Sequence, residues 1–280
     1  MDLLIDGFTH HTTHTGEVEI GYSVGPDNGP PLLMLDGVTS RRDGFVKVTD
    51  ALTPSWRVFT MDQRGHGYSG KAPGAYARAD YARDVRHVLD NVIGEATVVW
   101  GHSLGGGNAT ETAATNPSLI RALMLEDPAL FGPSRPPIDE DSPVRVNFRL
   151  FLRLVEEGRS LDEMTAALLA SNPAQEEEMA RWKAECLQQM DAEMLRNVAE
   201  ARPLGSSDPK ELLSRIDCPV LLAQADPAVG GVLADAYLAG IQPDKSTFQV
   251  KRLPNCGHNL NRDHPDELLA VVLPWLKGLG

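Results

Sequence analysis

The chain of 280 residues has three cysteines, Cys186, Cys218 and Cys256, and no CxxC pair among them. An odd number at scattered positions excludes a closed disulfide framework and suits reduced thiols in a cytosol. The missing CxxC spacing argues against a structural zinc site. Basic charge is also scarce: 26 Lys and Arg stand against 39 Asp and Glu, a formal net charge of −13. That balance argues against non-specific binding to nucleic acid or to an anionic membrane surface. No apolar run reaches the length needed to span a membrane. The opening MDLLIDGF has neither a basic stretch nor a long apolar core, so no signal peptide is expected. Internal repeats and low-complexity tracts are absent. The expectation is an ordinary soluble, cytoplasmic globular protein, with 42% apolar residues, and 280 residues are enough for one core plus an inserted subdomain.

What the chain does have is alternation of strand and helix patterns, the sign of a mostly parallel sheet covered on both faces. Val18–Val24, Leu32–Leu35, Trp56–Met61, Thr97–Trp100 and Ile120–Leu125 read as strands, several of them as short buried apolar runs. Ala79–Val92 carries Tyr81, Val85, Val88, Leu89 and Val92 at helical spacing and stops at Gly94. The character changes after Asp127. From Pro128 to Asp217 the pattern is helical and charged, with one stripe at Val144, Phe148, Phe151, Leu152 and Val155 and another at Met179, Trp182, Cys186 and Met190. Strands resume at Pro219–Ala223 and Thr247–Leu253, and a last helix spans Pro265–Leu276. The expected division is a core domain of residues 1–127 and 218–280, with 128–217 as a helical cap.

Chemistry enters at Gly101-His102-Ser103-Leu104-Gly105, a G-x-S-x-G run between a strand and a small-residue helix. Such a turn holds its serine in strained backbone geometry with the hydroxyl presented, and glycine is needed where strand and helix crowd together. The Leu104 amide then falls at a helix N-terminus, where it can stabilise an oxyanion. Serine alone is a weak nucleophile and needs a base. His258, in Pro254-Asn255-Cys256-Gly257-His258-Asn259, lies in a loop at the C-terminal edge of the sheet, where ligands bind in such folds. The other histidines compete less well. His10, His11 and His14 crowd a Thr-rich stretch read as a solvated strand or turn rather than a metal site. His66 and His87 fall in a turn and a helix, and His102 precedes the nucleophile.

At this point the chain resembles the α/β-hydrolase family over nearly its whole length. The resemblance rests on Leu35-Asp36-Gly37-Val38, Asp62-Gln63-Arg64-Gly65-His66-Gly67-Tyr68-Ser69, Gly101-His102-Ser103-Leu104-Gly105-Gly106 and Gly257-His258, in that order. It implies an α/β fold with an eight-stranded, mostly parallel sheet and a helical cap after the sixth strand. It carries the nucleophile to Ser103, the base to His258 and the oxyanion hole to the amides of Val38 and Leu104. Arg64 and His66 take structural places.

Two positions depart from the family pattern. Asp36-Gly37 stands where His-Gly is usual; the hole uses backbone N–H groups, so Val38 still serves, and Asp36 is expected to point away. The acid usually follows the strand placed here at Pro219–Ala223, yet Asp226 comes early in Gln224-Ala225-Asp226-Pro227. Asp127, in Glu126-Asp127-Pro128, matches the acid of a smaller set of members that carry it after the sixth strand. Asp127 is read as the acid, with Asp226 the main alternative and Glu126 a third. Phe131, Phe148, Phe151, Met164 and Trp182 are the candidates for an apolar substrate pocket beneath the cap.

The expected activity is cofactor-free hydrolysis of a small-molecule carboxylic ester or lactone through an acyl-enzyme. The Asp-Gly oxyanion strand with an acid after the sixth strand also resembles the fungal resorcylic-macrolactone hydrolases, which brings in lactones. Carbon–carbon bond hydrolysis, acyl transfer or haloperoxidase-like chemistry are the alternatives within the fold. A ligand receptor with slow turnover is the alternative outside enzymology.

Overall fold

A computed structural model of the chain describes residues 5–132 and 139–279. Its strands are β1 (Thr9–His14), β2 (Glu19–Val24), β3 (Pro31–Leu35), β4 (Arg57–Met61), β5 (Thr97–His102), β6 (Ile120–Glu126), β7 (Val220–Ala225) and β8 (Phe248–Leu253). They form one eight-stranded sheet in the order β1-β2-β4-β3-β5-β6-β7-β8. β1 pairs with β2, and β2 with β4, in antiparallel fashion; every other neighbouring pair is parallel. β3, β5 and β7 are buried at every position, because helices cover both faces of the sheet.

The pleat sends alternate side chains into two separate layers. Leu33 and Leu35 of β3, Val99 of β5 and Leu123 of β6 pack on one face against Val85 and Val88 of α2 (Arg78–Val88) and Ala109 and Ala113 of α3 (Leu104–Thr115). Leu32, Met34, Trp100 and Met124 pack on the other against Val48 and Leu52 of α1 (Val46–Leu52) and the C-terminal helix, Pro265–Lys277.

Between β6 and β7 the chain forms α4 (Pro143–Glu156), α5 (Leu161–Ser171), α6 (Glu177–Gln189), α7 (Ala192–Ala199) and α8 (Pro209–Ser214). Two begin on serine caps. Ser142 Oγ accepts the Arg145 N–H at α4, and Ser160 at α5 forms a reciprocal capping box with Glu163. α4 to α7 share a third apolar cluster, in which Leu154, Met164, Leu168, Leu187 and Met194 meet Tyr76, Tyr81 and Leu104 of the core. α8 packs differently. Leu212, Leu213 and Ile216, which the sequence pattern groups with the cap, join the first sheet layer beside α9 (Asp235–Ile241). Their apolar side chains face the sheet rather than the other insertion helices. The chain closes with α10 (Leu260–Asp263) and α11 (Pro265–Lys277).

The His-rich N-terminal stretch is the edge strand β1. Its histidines alternate across the strand: His10 Nδ1 meets Ser23 Oγ at 2.8 Å, and His11 stacks on Tyr22. Among the described residues no three His, Cys, Asp or Glu side chains are grouped to hold a metal ion. The three cysteines are free thiols, and no described helix is long and apolar enough to cross a membrane.

Candidate active site

β5 ends at His102 and α3 begins at Leu104, so Ser103 must turn the chain alone. It does so at φ 50°, ψ −115°, in the left-handed half of conformational space that non-glycine residues avoid. Gly105 permits the turn, since a Cβ there would collide with the Leu35 carbonyl at the end of β3. Gly37 lies so close that an added Cβ would stand 3.0 Å from Ser103 Cβ, which sets the Gly37-Val38 peptide beside the serine. The Val38 and Leu104 amides have no hydrogen-bond acceptor among the described residues. Two free N–H groups flanking a serine hydroxyl are the donors that a developing oxyanion requires.

His258, on the loop between β8 and α10, faces the serine: Nε2 lies 3.0 Å from Ser103 Oγ. Its Nδ1 lies 2.6 Å from Asp127 Oδ2. A carboxylate only accepts, so Nδ1 carries the proton and Nε2 accepts from the serine O–H. Asp127 is fully buried at the end of β6 with φ 33°, its own N–H donating to the Ala223 carbonyl of β7. Asp127 Oδ2 also accepts the Val232 N–H at 2.9 Å, while Oδ1 is buried without a partner among the described residues. A carboxylate so poorly solvated gains from an imidazolium beside it.

Asp226 is engaged elsewhere. It caps the turn after β7, accepting the Ala228 and Asn255 N–H groups and pairing with Arg252 at 2.8 Å. The amide bonds from Asn255 and Ala228, then the Arg252 bond, hold its carboxyl down at about 2. Glu126, one residue before Asp127, points to the opposite side of β6, where it accepts Trp100 Nε1–H and the Asn261 N–H. Burial pushes the Glu126 carboxyl up to about 8 against those two bonds.

Asp36 is buried behind the serine. It accepts the Gly37 N–H at 2.6 Å, the Ser40 hydroxyl, and Arg262 Nη1 at 3.0 Å. His102 Nδ1 lies 2.8 Å from Asp36 Oδ1, and His102 Nε2 lies 3.1 Å from the His258 carbonyl. Burial holds the His102 imidazole down at about 4, against the opposing pull of the Asp36 contact. Burial raises the Asp36 carboxyl, but the Arg262 charge and the His102 bond outweigh it and keep Asp36 well below the usual carboxylate range. Arg262 Nη2 in turn donates to Asn259 Oδ1 at 2.6 Å. The carboxylate thus ties the β3 loop, the elbow and the His258 loop together. Sequence reasoning missed Arg262, although it lies four residues beyond His258.

The pocket candidates separate. Met164 is buried in the insertion cluster that contains Leu104, and Val38, Phe148 and Phe151 pack against the same cluster, the two phenylalanines edge to face. Trp182 is buried, its indole N–H donating to Asp43 Oδ1 and the Arg262 guanidinium lying over its ring. Phe131 is half-buried, five residues past β6. Arg64 forms a buried bidentate pair with Asp84, and His66 Nδ1 meets the Arg64 carbonyl.

A sheet of this order, an elbow serine at the end of its fifth strand and a histidine after its eighth define an α/β hydrolase. Residues 37–271 match the model of the alpha/beta hydrolase family, and the chain belongs to that family. Its relatives include N-formylmaleamate deformylase of Pseudomonas putida, 26% identical over 89% of each chain. 2-(Acetamidomethylene)succinate hydrolase of Mesorhizobium japonicum is 29% identical over 126 residues, 45% of each. The chain spans 45%, 34% and 41% of the length of three curated relatives it matches. Among solved structures, an N-formylmaleamic acid deformylase from Pseudomonas putida S16 superposes with a TM-score of 0.78 at 21% identity, covering 94% of this chain and 100% of that one.

Proposed function

We propose that the protein is a serine hydrolase of carboxylic esters or lactones, with Ser103 as nucleophile, His258 as base and Asp127 as the acid that orients it. The observation that carries this reading is the unbroken line from Ser103 Oγ through the His258 ring to buried Asp127, at 3.0 and 2.6 Å. Ser103 Oγ attacks the acyl carbonyl as its proton passes to His258 Nε2. Asp127 stabilises the imidazolium, and the Val38 and Leu104 amides hold the oxyanion. His258 returns the proton to the leaving oxygen, and water then releases the acid by the same steps. The α4–α7 insertion acts as the cap, its cluster with Leu104 and Val38 forming an apolar wall over the serine.

A second reading draws on the relatives. One carries in its name a formyl group on nitrogen, the other an acetamido group, and neither is named for an ester or a lactone. An acyl group on nitrogen is open to the same attack, so acyl–nitrogen cleavage belongs among the alternatives to ester hydrolysis, with the fold's other cofactor-free reactions.

The test is turnover of a panel of esters, lactones and N-acyl compounds by the wild type and Ser103→Ala. Loss of at least a thousandfold in the variant, with an unchanged melting temperature, is the expected result. Activity within about tenfold of wild type in Ser103→Ala would remove the serine from the mechanism.

A further inference from the structure

Helix α6 lies over the β3 loop and carries Lys183 onto it. Lys183 Nζ donates to the Thr39 carbonyl at 2.7 Å and to Thr39 Oγ1 at 2.9 Å. Both acceptors are neutral. Two carboxylates act on this ammonium from beyond contact distance: Asp36, which is paired with Arg262, and Asp263. Among the described residues no carboxylate lies within 4.0 Å of Lys183 Nζ; two of its N–H donors go to Thr39, and the ammonium lies 5.4 Å from the centroid of the Trp182 ring. A largely buried cation with no anion in contact is costly, since two neutral acceptors and an aromatic face replace only part of its lost hydration. A mere strap between helix and loop would need no charge: a glutamine or serine could hold a carbonyl and a hydroxyl.

The place matters as much as the charge. Thr39 sits at φ 64°, directly after Val38, whose free amide faces the nucleophile in the reading above. At most about 7 Å of backbone separates Thr39 from Gly37, where an added Cβ would stand 3.0 Å from Ser103 Cβ. Lys183 is only part-exposed, and its neighbour Trp182 is pinned by Asp43 and stacked on Arg262. The ammonium is therefore held on a rigid support at one end of the oxyanion loop. Burial, then the nearby Arg262 charge, lowers the Lys183 ammonium to about 8, so it is still charged at neutral pH.

From this placement we infer that Lys183 is a substrate-binding residue that pairs with a carboxylate carried a few atoms from the scissile acyl group, so that the preferred substrate is an acidic one. This rests on Ser103 being the nucleophile, but the binding step can be read without turnover.

Succinate and the uncharged succinamide would be titrated into Ser103→Ala protein by calorimetry, alone and combined with Lys183→Met or Lys183→Arg. Turnover of p-nitrophenyl hemisuccinate and p-nitrophenyl acetate by the Ser103 forms gives the second readout. The expected result is binding of succinate over succinamide, weakened about tenfold to a hundredfold by Lys183→Met and largely kept by Lys183→Arg. The same ratio should separate the two esters in kcat/KM. Equal binding of the two probes, or a charge preference that survives Lys183→Met, overturns the inference even where neutral esters are turned over well. Lys183-dependent succinate binding with no turnover of any substrate would instead overturn the serine-hydrolase reading and leave the carboxylate site standing.

Discussion

Replacing Asp127 by Asn removes one charge and changes almost no volume, so the site itself sets the outcome. Asp127 Oδ2 receives two donors, His258 Nδ1–H at 2.6 Å and the Val232 N–H at 2.9 Å. An asparagine amide will turn its oxygen to that corner, because its NH2 there would face the Val232 N–H. The imidazole then keeps its tautomer, and what is lost is the attraction between carboxylate and imidazolium. At an effective dielectric of about 20 and about 4 Å between charges, that attraction is about 4 kcal/mol, or roughly a thousandfold in rate. Asp127→Asn should therefore lower kcat about a thousandfold and move KM by less than about threefold. Asp127→Ala also frees the tautomer and should cost about ten-thousandfold. Asp226→Asn should leave kcat within about threefold while loosening the turn and the Arg252 pair. Steady-state kinetics on one ester, with circular dichroism as the fold control, measures all three. A loss in Asp226→Asn as large as in Asp127→Asn would refute the reasoning, and so would Asp127→Asn within tenfold of wild type.

Asp36→Asn leaves Arg262 buried beside a neutral group; an expected loss of about 3–5 kcal/mol in stability should appear in urea titration, with Asp36→Asn/Arg262→Met less destabilised than the sum of its parts. The raised Glu126 carboxyl gives a pH signature of known sign. The folded protein holds that proton up to about 8 while the unfolded chain releases it near 4.5, so stability falls as pH rises across that window. Glu126→Gln should flatten the fall in melting temperature between pH 5 and 8; an identical slope in wild type and variant would show that Glu126 is not the titrating group.

Much of this protein is determined by short stretches of sequence. The apolar runs of β3, β5 and β7 fix buried strands, and the helical stripes fix the insertion, because period and burial are local properties of the chain. The G-x-S-x-G turn determines its own geometry, since a strand running into a helix leaves one residue to reverse direction. Only the tertiary structure decides which carboxylate meets His258. Asp127 and Asp226 both end central strands at the same edge, and what separates them is the company each keeps: Asp226 is drawn down by Arg252 and two loop amides, while Asp127 stands buried beneath the imidazole. The same holds for Asp36, whose partner Arg262 lies 226 residues away, and for Lys183, which reaches Thr39 across 144. Such pairings depend on where folded elements come to rest, and no window of sequence short enough to read contains both partners.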